Sequence, residues 1–256
     1  MRDYLGQTFA VTAVEVRKLV RDPTELVTRA VQPVLWLLIF GQVFSRTRAI
    51  PTGDLTYMEF MAPGVLAQGV LFAAIFFGIA VIWERDLGIV HKLLASPAPR
   101  SSLVLGKALA AGARGLPQAV IIYLLAALLG VRLGFTVFNL VSVVALVMLG
   151  SATFSTFSLL IACIVKTRER FMGIGQLLTM PLFFASNAIY PLELMPGWLR
   201  VVASANPLTY LVDGLRTVMI AQGVSRFGLL TDYLVELGLL ALFTAVAARL
   251  YPGLAR

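Results

Sequence analysis

The chain has 256 residues, of which 59% are hydrophobic and 13% are charged, whereas soluble domains carry roughly 25% charged residues. Its mean hydropathy of +0.88 and its long apolar runs exclude an ordinary soluble globule and predict an all-α polytopic membrane protein, with one membrane domain over residues 1–256. The formal net charge of +8 would suggest nucleic-acid binding in a soluble protein. Here we attribute it to loops that face anionic lipid, so membrane lipid is a predicted partner and nucleic acid is not.

The sequence offers few ligands for a metal ion. Cys163 is the single cysteine and His91 the single histidine, which excludes an intrachain disulfide and leaves too few soft ligands for zinc or haem. We therefore expect no metal site and no cofactor bound by this chain. Charged side chains interrupt residues 1–22, so this stretch lacks the apolar core of a cleavable signal peptide, and the mature chain is expected to start near Met1.

Residues 1–28 are predicted to form an amphipathic helix that lies on the membrane surface. The apolar face of this helix holds Leu5, Phe9, Ala13, Val16 and Val20, and the polar face holds Gln7, Glu15, Arg17, Lys18 and Arg21. Val11 and Val14 break the pattern, so an ordinary solvated connector is the alternative.

Apolar runs further along the chain predict six membrane-spanning helices, because each run can cross a hydrocarbon core of about 30 Å. The predicted spans cover residues 29–44, 60–83, a third helix that is fully apolar over 119–129, then 138–165, 171–189 and 229–250. Lys107 and Arg114, near the start of the third helix, are expected to snorkel towards the headgroups. Lys and Arg concentrate before the first span, after the second and fourth, and in the tail, which predicts that both termini are cytoplasmic.

The polar stretch 84–102 between the second and third spans is predicted to be cytoplasmic and to contain a short helix. Asp86 is its expected N-cap, and the helix should end before Pro97. Leu87, Val90 and Leu94 would share one face, at a spacing with which a small helix fits a groove on another protein. A surface helix that rests on lipid is the alternative.

The segment 190–227 before the last span is predicted to be extracellular, although it contains apolar stretches. Its prolines and its tryptophan exclude one continuous helix and favour two short helices over 197–203 and 208–221. These helices would be re-entrant, dipping into the outer leaflet and sealing the outer end of a cavity. An ordinary folded external loop is the alternative.

Two stretches resemble the permease subunits of type-2 ATP-binding-cassette exporters, in particular the daunorubicin-resistance-like drug exporters. The first is similar to the family's coupling helix and the start of its third span, and it contains Glu84-Arg85, Gly88, Leu93-Leu94, Pro97, Arg100 and Gly106-Lys107. The second is similar to the family's signature before the last span, and it contains Pro191-Leu192, Met195-Pro196, Trp198-Leu199, Asn206-Pro207-Leu208-Thr209-Tyr210 and Asp213-Gly214-Leu215-Arg216. His91 departs from the acidic or polar residue that the family pattern has in its coupling helix.

The resemblance implies a permease of the bacterial inner membrane that forms a homodimer and sits on two copies of a separate ATPase, which binds ATP and Mg²⁺. The chain itself is not expected to be an enzyme, because Ser101 stands where a phosphate-binding loop ending in Gly106-Lys107 needs its first glycine. The residues implied to contact the ATPase are Glu84, Arg85, Leu87, Gly88, Val90, His91, Leu93, Leu94 and Pro97. Those implied to form an extracellular gate are Pro191, Pro196, Trp198, Asn206, Pro207, Tyr210, Asp213 and Arg216.

Polar and aromatic side chains inside the predicted spans are candidates for a translocation path. They are Gln68, Phe72, Phe76, Ser151, Phe154, Ser155 and Gln176. Such side chains also serve helix packing or face lipid, and both interpretations stay open. Asp232 and Glu236, one helical turn apart in the last span, are either functional carboxylates or interfacial hydrogen-bonding groups.

The sequence therefore predicts ATP-driven export of a hydrophobic or amphiphilic compound, drug-like or lipid-like. No charged residue stands at the middle of a predicted span, which disfavours a proton-coupled carrier and an ion channel with a charged filter. Export of a lipid-linked polysaccharide is an alternative within the same family. An integral membrane enzyme that modifies lipid is a second alternative, but it would need clustered His, Asp or Glu near one leaflet, and the acids of this sequence are scattered.

Overall fold

A computed structural model describes residues 2–21, 31–47, 50–95, 98–165 and 167–255. This part of the chain is helical almost throughout, as predicted, and its extended pairing is limited to an antiparallel bridge between Leu133 and Ile220. The helices are α1 (Arg2–Arg21), α2 (31–47, π-helical over Trp36–Gly41), α3 (Tyr57–Asp86), α4 (Ile89–Leu94), α5 (Arg100–Leu128), α6 (Val137–Ile164), α7 (Arg168–Phe184), α8 (Gly197–Ala205), α9 (Pro207–Met219) and α10 (Leu229–Leu250). Short 3-10 turns lie at Leu192–Leu194 and Tyr251–Ala255.

Among the described residues, four helices are long and apolar enough to cross a membrane: α3, α5, α6 and α10 with the turn that follows it to Gly253. They correspond to the second, third, fourth and last predicted spans. The first predicted span begins at residues 29–30, which lie outside the described residues, and its described part belongs to α2. The fifth predicted span is covered in part by α7, which has 17 residues. The number of six crossings therefore stays a prediction.

The central helix of the bundle is α3. In the most apolar 18-residue stretch of α3, 72% of the residues are buried inside the protein, against 11% in the most apolar stretch of α10 and the turn that follows it. A capping box fixes its first turn: the Thr56 side chain accepts the Glu59 amide, and the Glu59 carboxylate accepts the Thr56 amide. Because α3 is in contact with α2, α5, α6, α7 and α9, most of its side chains meet protein, while Phe76, Ala80 and Trp83 remain exposed.

Small residues and hydroxyls bring α3 close to its neighbours. A Cβ atom on Gly64 would lie 2.2 Å from the Ala188 carbonyl oxygen, so the backbones touch at that point. Lower on α3, the Ser158 hydroxyl of α6 donates to the Ile75 carbonyl at 2.5 Å and accepts the Gly78 amide at 3.0 Å. These contacts are typical of membrane helices, whose association depends on close packing and interhelical hydrogen bonds rather than on the hydrophobic effect.

Several helix ends differ from the predictions. The helix α3 continues through Glu84 to Asp86, so the expectation that Asp86 caps the short cytoplasmic helix is wrong. Gly88 takes that position, at φ +72°. The helix α7 ends at Phe184 because the Ser186 hydroxyl donates to the Phe183 carbonyl at 2.7 Å and accepts the Ala188 amide, which turns the chain. The two short outer helices form as α8 and α9, and their depth in a membrane stays a prediction.

Candidate coupling helix, outer segment and groove

The short helix α4 connects α3 to α5 and is fastened to the body of the protein. Gly88 opens it in the left-handed conformation, which glycine adopts without a Cβ clash. Val90 is fully buried and belongs to a cluster with Phe77, Leu103 and Tyr251. Residues of α3, α5 and the C-terminal turn therefore hold α4 in a fixed orientation.

The face of α4 that is available to a partner differs from the predicted face. Of the expected contact residues, Val90 is buried and Leu94 is half-buried in the chain's own core, together with Leu93. These side chains pack into the core because the short helix has a single apolar side, and that side faces the protein interior. The exposed residues of the connection are Leu87, His91, Lys92 and Ala95. Pro97 lies outside the described residues.

Four charged side chains lie at the root of α4, and we call them the base cluster: Glu15 of α1, Glu84 of α3, and Lys107 and Arg114 of α5. The Lys107 ammonium pairs with Glu84 and lies 3.8 Å from a Glu15 carboxylate oxygen. Arg114 donates to Glu15 at 3.1 Å. Lys107 is 2% exposed and Glu15 is 8% exposed, so the expectations that Lys107 snorkels and that Glu15 belongs to a solvated face are wrong.

A second ionic contact joins the ends of α3 and α7. Asp86 accepts from Arg168 at 2.6 Å and from Arg85 at 2.7 Å. The Arg168 guanidinium also lies 3.8 Å from the centroid of the Trp83 ring, a cation–π distance. Neighbouring Glu84 and Arg85 thus enter different ion pairs, Glu84 inside the protein and Arg85 at its surface.

Asn206 joins the outer segment to α7. Its side-chain amide donates to the carbonyl oxygens of Leu182 and Ala185, both at 2.7 Å, and its side-chain oxygen accepts the Leu208 amide at 3.0 Å. Asn206 therefore caps α9 and satisfies the last carbonyls of α7 at the same time. Pro207 occupies the first position of α9, where the missing amide is tolerated.

Arg216 ties α9 to α3. Its guanidinium donates to the carbonyl oxygens of Phe60 and Asn187, at 3.2 and 2.7 Å, and lies 3.8 Å from the Phe60 ring centroid. Burial lowers the pKa of Arg216 to about 10, opposed by the nearby Asp213 carboxylate, so the side chain stays cationic at neutral pH. Asp213 in turn accepts the Arg226 amide at 2.9 Å and so holds the loop before α10.

The predicted gate residues fall into three groups. Pro191, Asp213 and Arg216 line a cavity of about 450 Å³ between the loop that precedes α3 and the outer segment. Asn206, Pro207 and Tyr210 lie at the joint between α8 and α9, where the Tyr210 hydroxyl donates to the Ser204 carbonyl at 2.8 Å. Pro196 and Trp198 lie on the exposed side of α8 and line neither the cavity nor the joint.

A groove runs between α2, α3 and α7. It comprises two adjoining cavities of about 220 and 90 Å³ that share Gln32, Phe72 and Phe76. Gln68 lines the smaller cavity and Gln176 the larger one. Apolar residues, among them phenylalanines, methionines and isoleucines, form most of the wall, and the glutamines supply hydrogen-bonding groups. Such a mixture suits a compound with a large apolar body and a few polar groups.

The structure brings together four of the candidate path residues and separates the other three. Gln68, Phe72, Phe76 and Gln176 share the groove. Ser151, Phe154 and Ser155 are buried in α6, where Phe154 belongs to the main core and Ser155 donates to the Ala152 carbonyl of its own helix.

Asp232 and Glu236 are fully buried where α10 meets α6 and α9. Asp232 accepts from the Ser225 hydroxyl at 3.4 Å. Neither carboxylate oxygen of Glu236 has a hydrogen-bond partner among the described residues. Over the same residues, no group of three His, Cys, Asp or Glu is close enough to hold a metal ion.

Sequence reasoning missed three residues that the structure places at these sites. Gln32 and Thr179 line the groove, and Gln32-Pro33 at the start of the first apolar run was the available signal. Glu59 is buried and pairs with Arg132 at 2.7 Å, which raises the pKa of the Arg132 guanidinium. The spacing Thr56-x-x-Glu59 was the available signal for Glu59, since it is a capping-box pattern.

Comparison of the sequence with known proteins identifies the family to which the chain belongs. The model of the ABC-2 type transporter family matches residues 6–220. The ycf38 protein of Cyanophora paradoxa is 30% identical over 83% of this chain and 74% of its own length. The daunorubicin resistance ABC transporter permease protein DrrB1 of Streptomyces coeruleorubidus is 25% identical over 90% of this chain and 80% of its own. Nodulation protein J of Bradyrhizobium diazoefficiens is 24% identical over 75% and 73%, respectively. With its multi-pass helical architecture, this chain belongs to the ABC-2 type transporter family.

Proposed function

We propose that the chain is the permease subunit of an exporter that moves a hydrophobic or amphiphilic compound out of a bacterial cell. The energy comes from ATP that a separate ATPase subunit binds with Mg²⁺ and hydrolyses. Permeases of this family work with such subunits. We further propose that two identical permease chains and two ATPase copies complete the exporter, with both termini of each permease in the cytoplasm.

The observation that carries this proposal is the construction of α4. A helix that only rested on the surface could move independently of the rest of the protein. The buried Val90 instead attaches α4 to α3, α5 and the C-terminal turn. Its outward side presents Leu87, which is 67% exposed, next to His91 and Lys92. A partner that pushes on this side would move the ends of two long helices, since a conformational change follows from differential contact with the two states.

The groove supports the choice of an amphiphilic cargo. Its two cavities are small, about 220 and 90 Å³, and Phe72, Phe76 and Met180 supply apolar wall, while Gln32, Gln68 and Gln176 supply hydrogen-bonding groups. A polysaccharide would need a wider passage with many polar groups. Exposed apolar side chains of α2 and α7 flank the groove, so we propose that the second permease chain or lipid closes it.

Reconstitution tests the proposal. The chain should be co-expressed with a candidate ABC ATPase subunit, purified as a complex and placed in liposomes, where cargo compounds are screened for stimulation of ATP turnover. Amphiphilic compounds should stimulate turnover and accumulate inside inverted vesicles. If no ATPase co-purifies, or if only lipid-linked polysaccharide stimulates turnover, the proposal in this form is wrong.

A further inference from the structure

The base cluster is more deeply buried than a surface ion pair and connects three helices. Lys107 lies near two carboxylates, that of Glu84 on α3 and that of Glu15 on α1. Arg114, two turns further along α5, pairs with Glu15. Both cations also lie near the Phe77 ring, at 5.8 Å for Lys107 and 5.6 Å for Arg114. Among the described pairs of the cluster, the carboxylates of Glu15 and Glu84 are matched by the cations of Lys107 and Arg114, and such pairing is how buried charge is tolerated.

The cluster lies where force on α4 would have to pass. Glu84 belongs to the last turn of α3, and Gly88 follows four residues later as the left-handed start of α4. Val90 packs on Phe77 and Leu103, the apolar neighbours of the same region. An ion pair from Glu84 to Lys107 therefore bridges the connection at its root, from the helix before α4 to the helix after it.

The backbones of α1 and α5 are in contact beside Lys107. A Cβ atom on Gly106 would lie 2.8 Å from the Thr8 carbonyl oxygen. The Thr12 hydroxyl donates to the Gly106 carbonyl at 3.1 Å. The backbone next to Lys107 is thus held between two helices.

We infer that Glu84 and Lys107 are positioning residues for energy coupling: their buried pair joins α3 to α5 at the root of α4 and, with Glu15, holds α1 against them, so that these helices move as a unit when a partner presses on α4. This inference rests on the proposed function for its consequence, but its structural content concerns this chain alone. A buried ion pair often adds no net stability, because apolar side chains of similar volume at the same positions give a folded state that is equally or more stable. A fixed geometry is what the pair adds.

The test separates rigidity from stability with a charge-balanced variant. Glu84→Gln with Lys107→Met removes one negative and one positive charge and leaves the Glu15–Arg114 pair intact. This double variant should melt close to the wild-type protein in nanodiscs, because replacing both partners of a buried pair is often neutral. Hydrogen exchange of the amides in 89–95 should nevertheless accelerate about tenfold, because the ion pair at the root of α4 is gone and apolar packing around Val90 alone holds this helix.

Two further variants keep the test decisive. Glu84→Gln alone leaves Lys107 near Glu15 and should show the same local acceleration if the double variant does not fold. Arg168→Met breaks the exposed pair with Asp86 at the same end of α3 and is the matched control, in which exchange over 89–95 should not change. Unchanged exchange over 89–95 in the double variant, at a normal melting temperature, overturns the inference.

The assembled exporter gives the functional measurement. With the ATPase bound, the double variant should assemble normally but lose cargo stimulation of ATP turnover at least fivefold, about the effect of 1 kcal/mol. Full stimulation in that variant also overturns the inference. Failure of the wild-type chain to assemble with an ATPase would instead refute the proposed function, and the exchange result would still decide whether the pair anchors α4.

Discussion

Leu87 and Val90 lie three residues apart on the connection between α3 and α5, yet Leu87 is 67% exposed and Val90 is completely buried. Leu87 is therefore available for contact with a partner, whereas Val90 contributes to the packing of the chain's own core. A charge at Leu87 should leave folding unchanged, whereas a loss of volume at Val90 should act on folding.

We expect Leu87→Glu to reduce cargo-stimulated ATP turnover severalfold without changing the melting temperature, since contact with the partner would bury a carboxylate that has no partner there. Val90→Ala should lower the free energy of unfolding by about 2 kcal/mol through lost burial and a residual cavity. Turnover of the reconstituted complex and thermal unfolding of the permease alone measure the two effects. Equal effects of both substitutions on stability would contradict this assignment.

Arg216→Gln should lower the free energy of unfolding by about 3 kcal/mol. The substitution removes charged hydrogen bonds to the carbonyls of Phe60 and Asn187 and the contact with the Phe60 ring, and hydrogen bonds to charged groups contribute about 1.5–3 kcal/mol each. Arg226→Gln is the matched control, because Arg226 pairs with Glu193 at the surface and such pairs contribute at most about 1 kcal/mol. Thermal melts in one detergent compare them.

Both Asn206→Ala and Asn206→Asp should lower the free energy of unfolding by about 2 kcal/mol, and the effect of Asn206→Asp should be at least as large as that of Asn206→Ala. The aspartate keeps the acceptor for the Leu208 amide but cannot donate to Leu182 and Ala185, and its negative charge would face their carbonyl oxygens. An ordinary N-cap would show the opposite order, since Asp and Asn cap equally well. Limited proteolysis between α7 and α9 and thermal unfolding read out this order.

Gly64→Ala should destabilise the protein by about 2 kcal/mol, because the new methyl group would lie 2.2 Å from the Ala188 carbonyl oxygen and the backbone would have to move. Gly173→Ala on α7 has no atom within 4 Å of the new methyl group, and alanine favours a helix by about 1 kcal/mol over glycine. That variant should be as stable as the wild-type protein or slightly more stable. Melting temperatures of the two single variants test the close approach of α3 and the turn that follows α7.

Gln176→Leu should raise the cargo concentration needed for half-maximal stimulation of ATP turnover about fivefold, the value of one hydrogen bond of about 1 kcal/mol. Basal turnover should not change. Leu177→Ala alters the next residue of α7, which is exposed and does not line the groove, and it should leave the response to cargo unchanged. If both variants respond to cargo as the wild type does, the groove is not the path.

Composition and pattern were sufficient to predict several features. The all-helical membrane class, the approximate positions of α3, α5, α6 and α10, and the two short outer helices follow from apolar runs and from prolines, which act locally. The short helix between the second and third spans was also predictable, because charged residues and Gly88 interrupt the apolar pattern there. The family resemblance depends on residues that are close together in the sequence, and it is confirmed.

Side-chain partners were decided by the tertiary structure. From the sequence, Lys107 and Glu15 are charges beside a membrane and are expected to reach water. In the fold they meet each other and Glu84 inside the protein, although 69 residues of sequence separate Glu15 from Glu84. Periodicity indicates which face of a helix is apolar, but not whether the chain's own core or a partner covers that face. Val90 and Leu87 differ for this reason, because burial depends on which distant helices pack nearby.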